Sequence, residues 1–295
     1  MDNNNLLLSH RETEPEKSTL YIVGTPIGNL NDISKRAINI LSNVHFVACE
    51  DTRVTLKLMN HLKISNKLIS LHQHNSQSKF NQILSELKKG NSIALVSDAG
   101  MPLISDPGES IVKQIKSNGY NVICIPGPCA AIAALISSGI NTSRFVFYGF
   151  IPKSGKERQI TIASICKNTF SSIIFESPKR LKRLLKDLKD ICGNDREIQV
   201  LKELTKKFEK HIGNNLYEVT NYFEGIEPRG EFTIVLSGLK KNESDITSQN
   251  DFLKNELTML IEAGLSHSKA SIFLAKKHNI SRRKIYNLVI KNELK

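Results

Sequence analysis

Glu50, Asp51 and Arg53, in the stretch "CEDTR", place two carboxylates and a guanidinium within four positions, where a strand-like run gives way to helical periodicity. A carboxylate at such a point can orient or deprotonate a hydroxyl, and an arginine can grip a phosphate bidentately. The same residues also suit a helix start, where Asp51 or Thr52 would cap free N–H groups and the helix dipole favours negative charge. His72 and His74, in "LHQHN", are alternative bases. An HxH pair at a strand end puts both rings on one face, which also fits a metal, but neither Cys nor carboxylate follows nearby and no metal is expected.

Three loops of similar make follow apolar runs: "GTPIGNL" (24–30), "SDAGMPLISDPG" (97–108) and "IPGPCAA" (125–131). Glycine lets the chain turn sharply or approach a ligand, while proline fixes φ and donates no hydrogen bond. Open α/β sheets hold ligands at the carboxyl ends of their strands, so these loops are expected to converge on one cleft. That cleft would present main-chain groups rather than charged side chains, to a ligand that is polar, flat in parts and not strongly anionic. No GxGxxG follows a strand and no GxxxxGK[ST] occurs, which argues against the common nicotinamide and ATP enzymes.

The elements that must position these loops alternate between strand and helix signals, which argues for βα units and largely parallel sheets. Strand-like runs at 20–23, 44–49, 67–71, 93–96 and 122–125 alternate with helical stripes such as Ile33, Ala37, Ile38 and Leu41. A polar, breaker-rich stretch, "GFIPKSGKERQ", suits a joint before a second unit with strands near 171–176, 197–204 and 231–238. The boundaries are therefore a disordered tail at 1–18, an N-terminal α/β domain at 19–144 with the three loops, and a second α/β domain at 145–240. A polar linker at 241–250 and a helical appendage at 251–295 complete the chain.

In that appendage Ser266 and Ser281 stand as N-caps of two helices, in the manner of a helix-turn-helix. Lys276, Lys277, Arg282, Arg283 and Lys284 make it basic; they either hold nucleic-acid phosphates or form a solvated face. Lys179 and Arg180 open a second basic stretch, "PKRLKRLLKDLKD", whose leucines form an apolar stripe. The 295 residues are 40% hydrophobic and 24% charged, and carry a net charge of +12, which points to a polyanionic partner or to genomic base composition. No apolar run nears the ~20 residues of a membrane span, and Leu6–Leu8 is too short for a signal-peptide core. A cytoplasmic protein without membrane contact is expected. Five cysteines without a CxxC pair read as buried reduced thiols.

"LYIVGTPIGNLNDISKRAINIL", "CEDTRVTLKLM", "LHQHN", "LVSDAGMPLISDPG", "IPGPCAAIAAL", "FESPKRL" and "ELTKKFE" resemble, in order and spacing, the ribosomal RNA small subunit methyltransferase I family, a branch of the tetrapyrrole methylases. The resemblance spans about Leu20 to Gly238, and the basic helices resemble the family's appended helix-turn-helix. It implies an α/β fold of two αβα domains of the tetrapyrrole methylase type with a small all-helical appendage. It further implies S-adenosylmethionine as methyl donor, 2′-O-methylation of a decoding-centre cytidine of 16S rRNA in the small ribosomal subunit, and a homodimer. Carried over by motif, the cofactor residues are Pro26, Asp98, Gly100, Met101, Pro102, Pro126, Cys129, Ala130, Phe150 and Thr233. Met101 stands where the family commonly has Thr, and Lys179 where it has His. A methylase of small tetrapyrroles or precorrins needs no basic tail, and a non-catalytic nucleic-acid-binding protein would leave the three loops unused.

Overall fold

Five short strands form the first sheet: β1 (Thr19–Val23), β2 (Phe46–Cys49), β3 (Leu68–Ser70), β4 (Ile93–Val96) and β5 (Asn121–Ile125). They are all parallel, in the order β3-β2-β4-β1-β5. β1, β2 and β4 are buried on both faces, which is why their sequences are continuous rather than alternating. Leu20, Ile22, Phe46, Ala48, Ile93 and Leu95 pack on one face with α3 (Ser76–Lys88) and α4 (Glu109–Ser117). Tyr21, Val23, Val47, Cys49, Ala94 and Val96 pack on the other with α1 (Lys35–Asn43) and α2 (Thr52–His61). β4 leaves toward one face while its neighbours β1 and β2 leave toward the other. Such a reversal opens a crevice outside the strand ends.

This computed structural model describes residues 13–71, 76–106, 108–240, 243–278 and 280–290, which fall into two compact units divided after Gly238. His72 and His74 lie outside the described residues, as does most of the expected N-terminal tail. Its last residues are ordered: Glu14 is buried and accepts two 2.6 Å hydrogen bonds from Arg36 on α1.

The second sheet runs β6-β7-β10-β8-β9, from β6 (Phe145–Phe150), β7 (Ser171–Glu176), β8 (Ile198–Lys202), β9 (Lys210–Ile212) and β10 (Phe232–Leu236). Here the expectation of largely parallel pairing fails. Only β6 and β7 are parallel; the other three pairings are antiparallel. β9 was too short to read from sequence, and the seven-residue connection from β8 to β9 leaves no room for a parallel crossover. α6 (Gly155–Lys167), α7 (Pro178–Cys192) and α8 (Leu216–Phe223) cover one face, with Leu181, Leu184, Leu185 and Leu188 of α7 fully buried. α5 (Ala130–Ser137), which follows the first sheet, covers the other: Ala131, Ala134 and Leu135 pack with Ile173, Leu201 and Val235. The helix that follows β5 is thus built into the core of the second sheet, and residues up to Gly238 make one unit.

The second unit holds α9 (Glu243–Glu262), α10 (His267–His278) and α11 (Arg282–Ile290) around Leu257, Ala270, Leu274 and Ile285. Ser266 and Ser281 cap as expected, their hydroxyls accepting from Lys269 and Lys284 N–H groups. The stretch 241–250, expected to be a linker, is helical from Glu243 onward. Its polar composition, with Ile246 the single apolar residue before Phe252, hid the first half of the helix. Among the described residues no helix is long and apolar enough to cross a membrane.

Candidate active site

Loops one and three meet through backbone alone. Gly24 N–H donates to Ile125 O at 3.2 Å, and a Cβ on Gly127 would lie 2.7 Å from Gly24 Cα. Loops one and two are joined by a reciprocal pair, Thr25 N–H to Gly100 O at 2.9 Å and Gly100 N–H to Thr25 O at 3.1 Å. Gly100 takes φ +78°, a conformation that favours glycine. The three loops thus converge, and a cavity of about 420 Å³ opens beside them.

The first sheet supplies Ile27, then Asp98 to Met101, then Cys129 and Ala130 to the cavity wall. From the second sheet come Phe150, Phe175, Glu176, Phe232 and Thr233; Thr233 stands opposite Phe175, and Phe232 opposite Glu176, in the β7–β10 pairing. Phe175 packs edge-on to Phe147 and tilted on Phe150, with centroids 5.1 and 5.6 Å apart. Of the expected cofactor residues, Asp98, Gly100, Met101, Cys129, Ala130, Phe150 and Thr233 come together here. Pro26 and Pro102 are buried behind the loops, and Pro126 is exposed; none of the three is on the wall. Met101 is half-buried, its Sδ close against Gly24.

The wall differs from the expectation in one respect: its charged side chains are Asp98, Asp106, Glu176 and Glu231, with no Lys, Arg or His among its residues. Sequence reading passed over Asp106, Phe175, Glu176 and Glu231. Asp106 was visible as the second Asp of "SDAGMPLISDPG", eight residues after Asp98, and Glu176 as the acid of "FESP". Burial pushes the Asp106 carboxyl up from its ordinary value; a hydrogen bond with Ser97 opposes this, and the Asp98 charge adds to it. Glu231 is on the rim, paired with Lys206 at 2.9 Å.

A second, open cavity of about 450 Å³ is lined by Glu50, Asp51, Thr52, Arg53, Ser70 and Asp98. It lies at the β2–β4 crevice and shares Asp98 with the first. Asp98 Oδ1 accepts from Asp51 N–H at 3.0 Å, tying the two loops. Asp51 is the N-cap of α2, its Oδ1 accepting from Arg53 N–H at 2.8 Å, while its Oδ2 meets the Arg53 guanidinium at 2.7 Å. The Arg53 guanidinium and that backbone donor hold the Asp51 carboxyl down to about 2. An acid so strong binds a proton poorly near neutrality, so Asp51 serves as cap and as anchor for Arg53. Glu50 stands half-buried at the end of β2.

The expected RNA-contacting residues divide. Lys179, Lys276, Arg283 and Lys284 are exposed. Arg180 is bound to Glu176 at 2.6 Å and donates to Ile151 O, Lys277 pairs with Glu256 at 2.6 Å, and Arg282 donates to Ser268 Oγ at 2.9 Å. The cysteines are free, and Cys124, on edge strand β5, is exposed rather than buried as expected.

An adenosine-sized cationic ligand fits these residues: the volume suits a small-molecule site, three phenylalanines give flat apolar wall, and the charged groups that line the space are all carboxylates. Residues 19–220 match the Tetrapyrrole (Corrin/Porphyrin) Methylases family. The chain is similar to solved structures of a cobalt precorrin-4 methyltransferase, a cobalamin biosynthetic enzyme (TM-score 0.57, 16% identity, covering 75% of this chain and 95% of that one). It is likewise similar to the uroporphyrin III C-methyltransferase of Thermus thermophilus (TM-score 0.55, 15% identity, 74% and 97% covered). These likenesses are of fold. Much nearer in sequence are proteins named ribosomal RNA small subunit methyltransferase I from Synechocystis sp. (41% identical, 93% of this chain and 98% of the relative) and Bacillus subtilis (41%, 91% and 92%). One from Thermotoga maritima is 43% identical over 219 residues, 74% of this chain and 98% of its own. With its fold, its loops and relatives matching over nearly its whole length, the chain belongs to the ribosomal RNA small subunit methyltransferase I family of tetrapyrrole methylases, whose methyl donor is S-adenosylmethionine.

Proposed function

We propose that this enzyme methylates the ribose 2′-oxygen of a cytidine in the decoding centre of 16S rRNA, in the small ribosomal subunit, as a cytoplasmic homodimer. The observation that carries the reading is the pair of cavities joined by Asp98, one walled by carboxylates and aromatics, the other by Glu50, Asp51 and Arg53. Residues 98–101, 129–130, Phe150 and Thr233 would hold S-adenosylmethionine, which supplies a methyl group already activated on a sulfonium. Glu50 takes the proton of the ribose hydroxyl, a step worth roughly 10²-fold to 10⁴-fold for a positioned base. Arg53, in the first turn of α2 with its side chain 87% exposed, grips a flanking phosphate while Asp51 keeps it oriented. Most of the acceleration comes from alignment across the two cavities. Lys179 and the exposed cations of the helical unit add phosphate contacts.

Labelled S-adenosylmethionine, offered with intact small subunits and with deproteinised rRNA from a strain lacking this protein, tests the assignment. Label mapped to a cytidine ribose in intact subunits is the expected result. Label on a base, or transfer only to small tetrapyrroles, would overturn it.

A further inference from the structure

Glu176 closes β7 on the wall of the 420 Å³ cavity, with its carboxylate wholly withdrawn from solvent. One of its oxygens is well provided for: Oε1 accepts from Ser177 N–H at 2.7 Å and from the Arg180 guanidinium at 2.6 Å. The other, Oε2, is buried and meets no donor among the described residues. Native proteins rarely leave a buried acceptor unpaired, and a half-satisfied buried carboxylate is costlier still. An apolar residue at this position would fill the same space without that cost. The orphan oxygen therefore calls for a donor that the folded chain does not supply.

Two cavities lie near enough to the reaction to bring one. The Glu50–Arg53 cavity does not include Glu176. The first does, beside Phe175 and Thr233 and across from Asp98. S-adenosylmethionine carries N–H and O–H donors and net positive charge on its sulfonium and ammonium groups, which suits a wall whose charged residues are all acidic. We propose that Glu176 is a cofactor-binding residue: Oε2 accepts a hydrogen bond from an N–H or O–H group of bound S-adenosylmethionine, and Arg180 positions the carboxylate from behind. This rests on the reading that the cavity is the cofactor site.

Isothermal titration of the full chain with S-adenosylmethionine, alongside melting curves, tests both. In Glu176→Gln the group facing the cofactor donor becomes uncharged, or is itself a donor, and the dissociation constant should rise at least about tenfold, as for a lost charge-assisted hydrogen bond. Arg180→Gln breaks the same ion pair away from the cavity, so it should lower the melting temperature while moving the dissociation constant far less. Should Glu176→Gln not fold, Glu176→Asp, which keeps the charge but withdraws the oxygen by one methylene, is expected to show the same rise. Equal melting losses with wild-type affinity in both Glu176 variants would make the residue a structural partner of Arg180 and overturn the proposal. Wild-type affinity with a raised KM for the ribosomal acceptor would overturn it too, assigning the missing donor to RNA. Ala99→Trp separates the two readings: it blocks the cavity from an exposed position, so unchanged affinity there removes the cavity assignment itself.

Discussion

One added methyl group at Gly127 should force apart two of the loops that build the proposed cofactor cavity. Its Cβ would sit 2.7 Å from Gly24 Cα, 2.8 Å from Gly24 C and 2.9 Å from Gly24 O, where ordinary contact starts at 3.4 Å. The backbones must therefore separate by about 0.7 Å, and no side chain can rotate away to relieve them. Gly24 cannot yield cheaply, because its N–H is bonded to Ile125 and the next residue is bonded twice to Gly100. Overpacking of this kind costs about 1–3 kcal/mol. In a unit of this size that lowers the melting temperature by about 2–12 °C. Met101 and Cys129 flank the contact and line the cavity, so the dissociation constant for S-adenosylmethionine should rise at least about tenfold. Gly119→Ala is the control: no atom lies within 4 Å of its Cβ site, but φ is +83°, so it should cost about 1 kcal/mol of stability and leave cofactor affinity unchanged. Calorimetric scans and titrations of the two variants decide the matter. Wild-type stability and affinity in Gly127→Ala would refute the close approach of the loops, and equal loss of affinity in Gly119→Ala would show that the effect is not local.

Three further outcomes are expected. The Asp51 carboxyl is depressed from 3.8 to about 2, so its ionic contacts are complete above the ordinary carboxylate range and vanish only as pH falls through about 2; Asp51→Asn should therefore leave the shape of the pH–rate profile above about pH 4 unchanged, whereas Glu50→Gln should lower kcat at least about 10²-fold. Lys277, together with His278, lowers the Glu256 carboxyl below its ordinary 4.5, so the contacts joining α9 to α10 persist from neutrality down to that value and fail only as pH drops further; far-ultraviolet dichroism of the full chain between pH 7 and 3 should show no helix loss above about 4.5. Deleting 239–295 should leave S-adenosylmethionine binding intact and flatten the salt dependence of RNA binding, read as the slope of log affinity against log salt.

The first sheet was legible because its central strands are buried on both faces and because β1 and β4 run into glycine and proline, signals that survive without a partner strand. Likewise the leucine stripe of α7 and the serine caps of the last two helices are local, so sequence carried them. Strand direction in the second sheet is not local: β7 and β10 pair antiparallel across 60 residues, and nothing in either segment records that. The convergence of Gly24, Gly100 and Gly127 could be expected from loop chemistry, but which side chains face the space depends on how the second sheet is laid against α5. Phe175, Glu176 and Glu231 enter the wall by that route, and so a cleft expected to offer main chain alone acquired carboxylates. Similarly, Arg180 reads in sequence as one more cation of a basic helix, yet four residues back along the chain it meets the one carboxylate that burial leaves in need of it.

Charge in this chain is sorted by location. Its 41 basic residues outnumber 29 acidic ones, yet the 420 Å³ cavity proposed for the cofactor draws only on the minority sign. A methyl donor that carries positive charge and a substrate that is a polyanion must meet within a few ångströms, and a uniformly basic cleft would attract the second while repelling the first. Carboxylates at Asp98 and Asp106, with Glu176 held against Arg180, put the negative charge on the wall, and they make the cavity hostile to phosphate, since like charges brought together cost several kcal/mol. A ribose hydroxyl, which is neutral, can approach that boundary when its phosphates cannot. Arg53 stands on the far side of Asp98, where a phosphate excluded from the cavity would find its first cation. For the proposed ribose acceptor, that arrangement would present the sugar edge of the nucleotide, rather than its backbone charge, to the methyl donor.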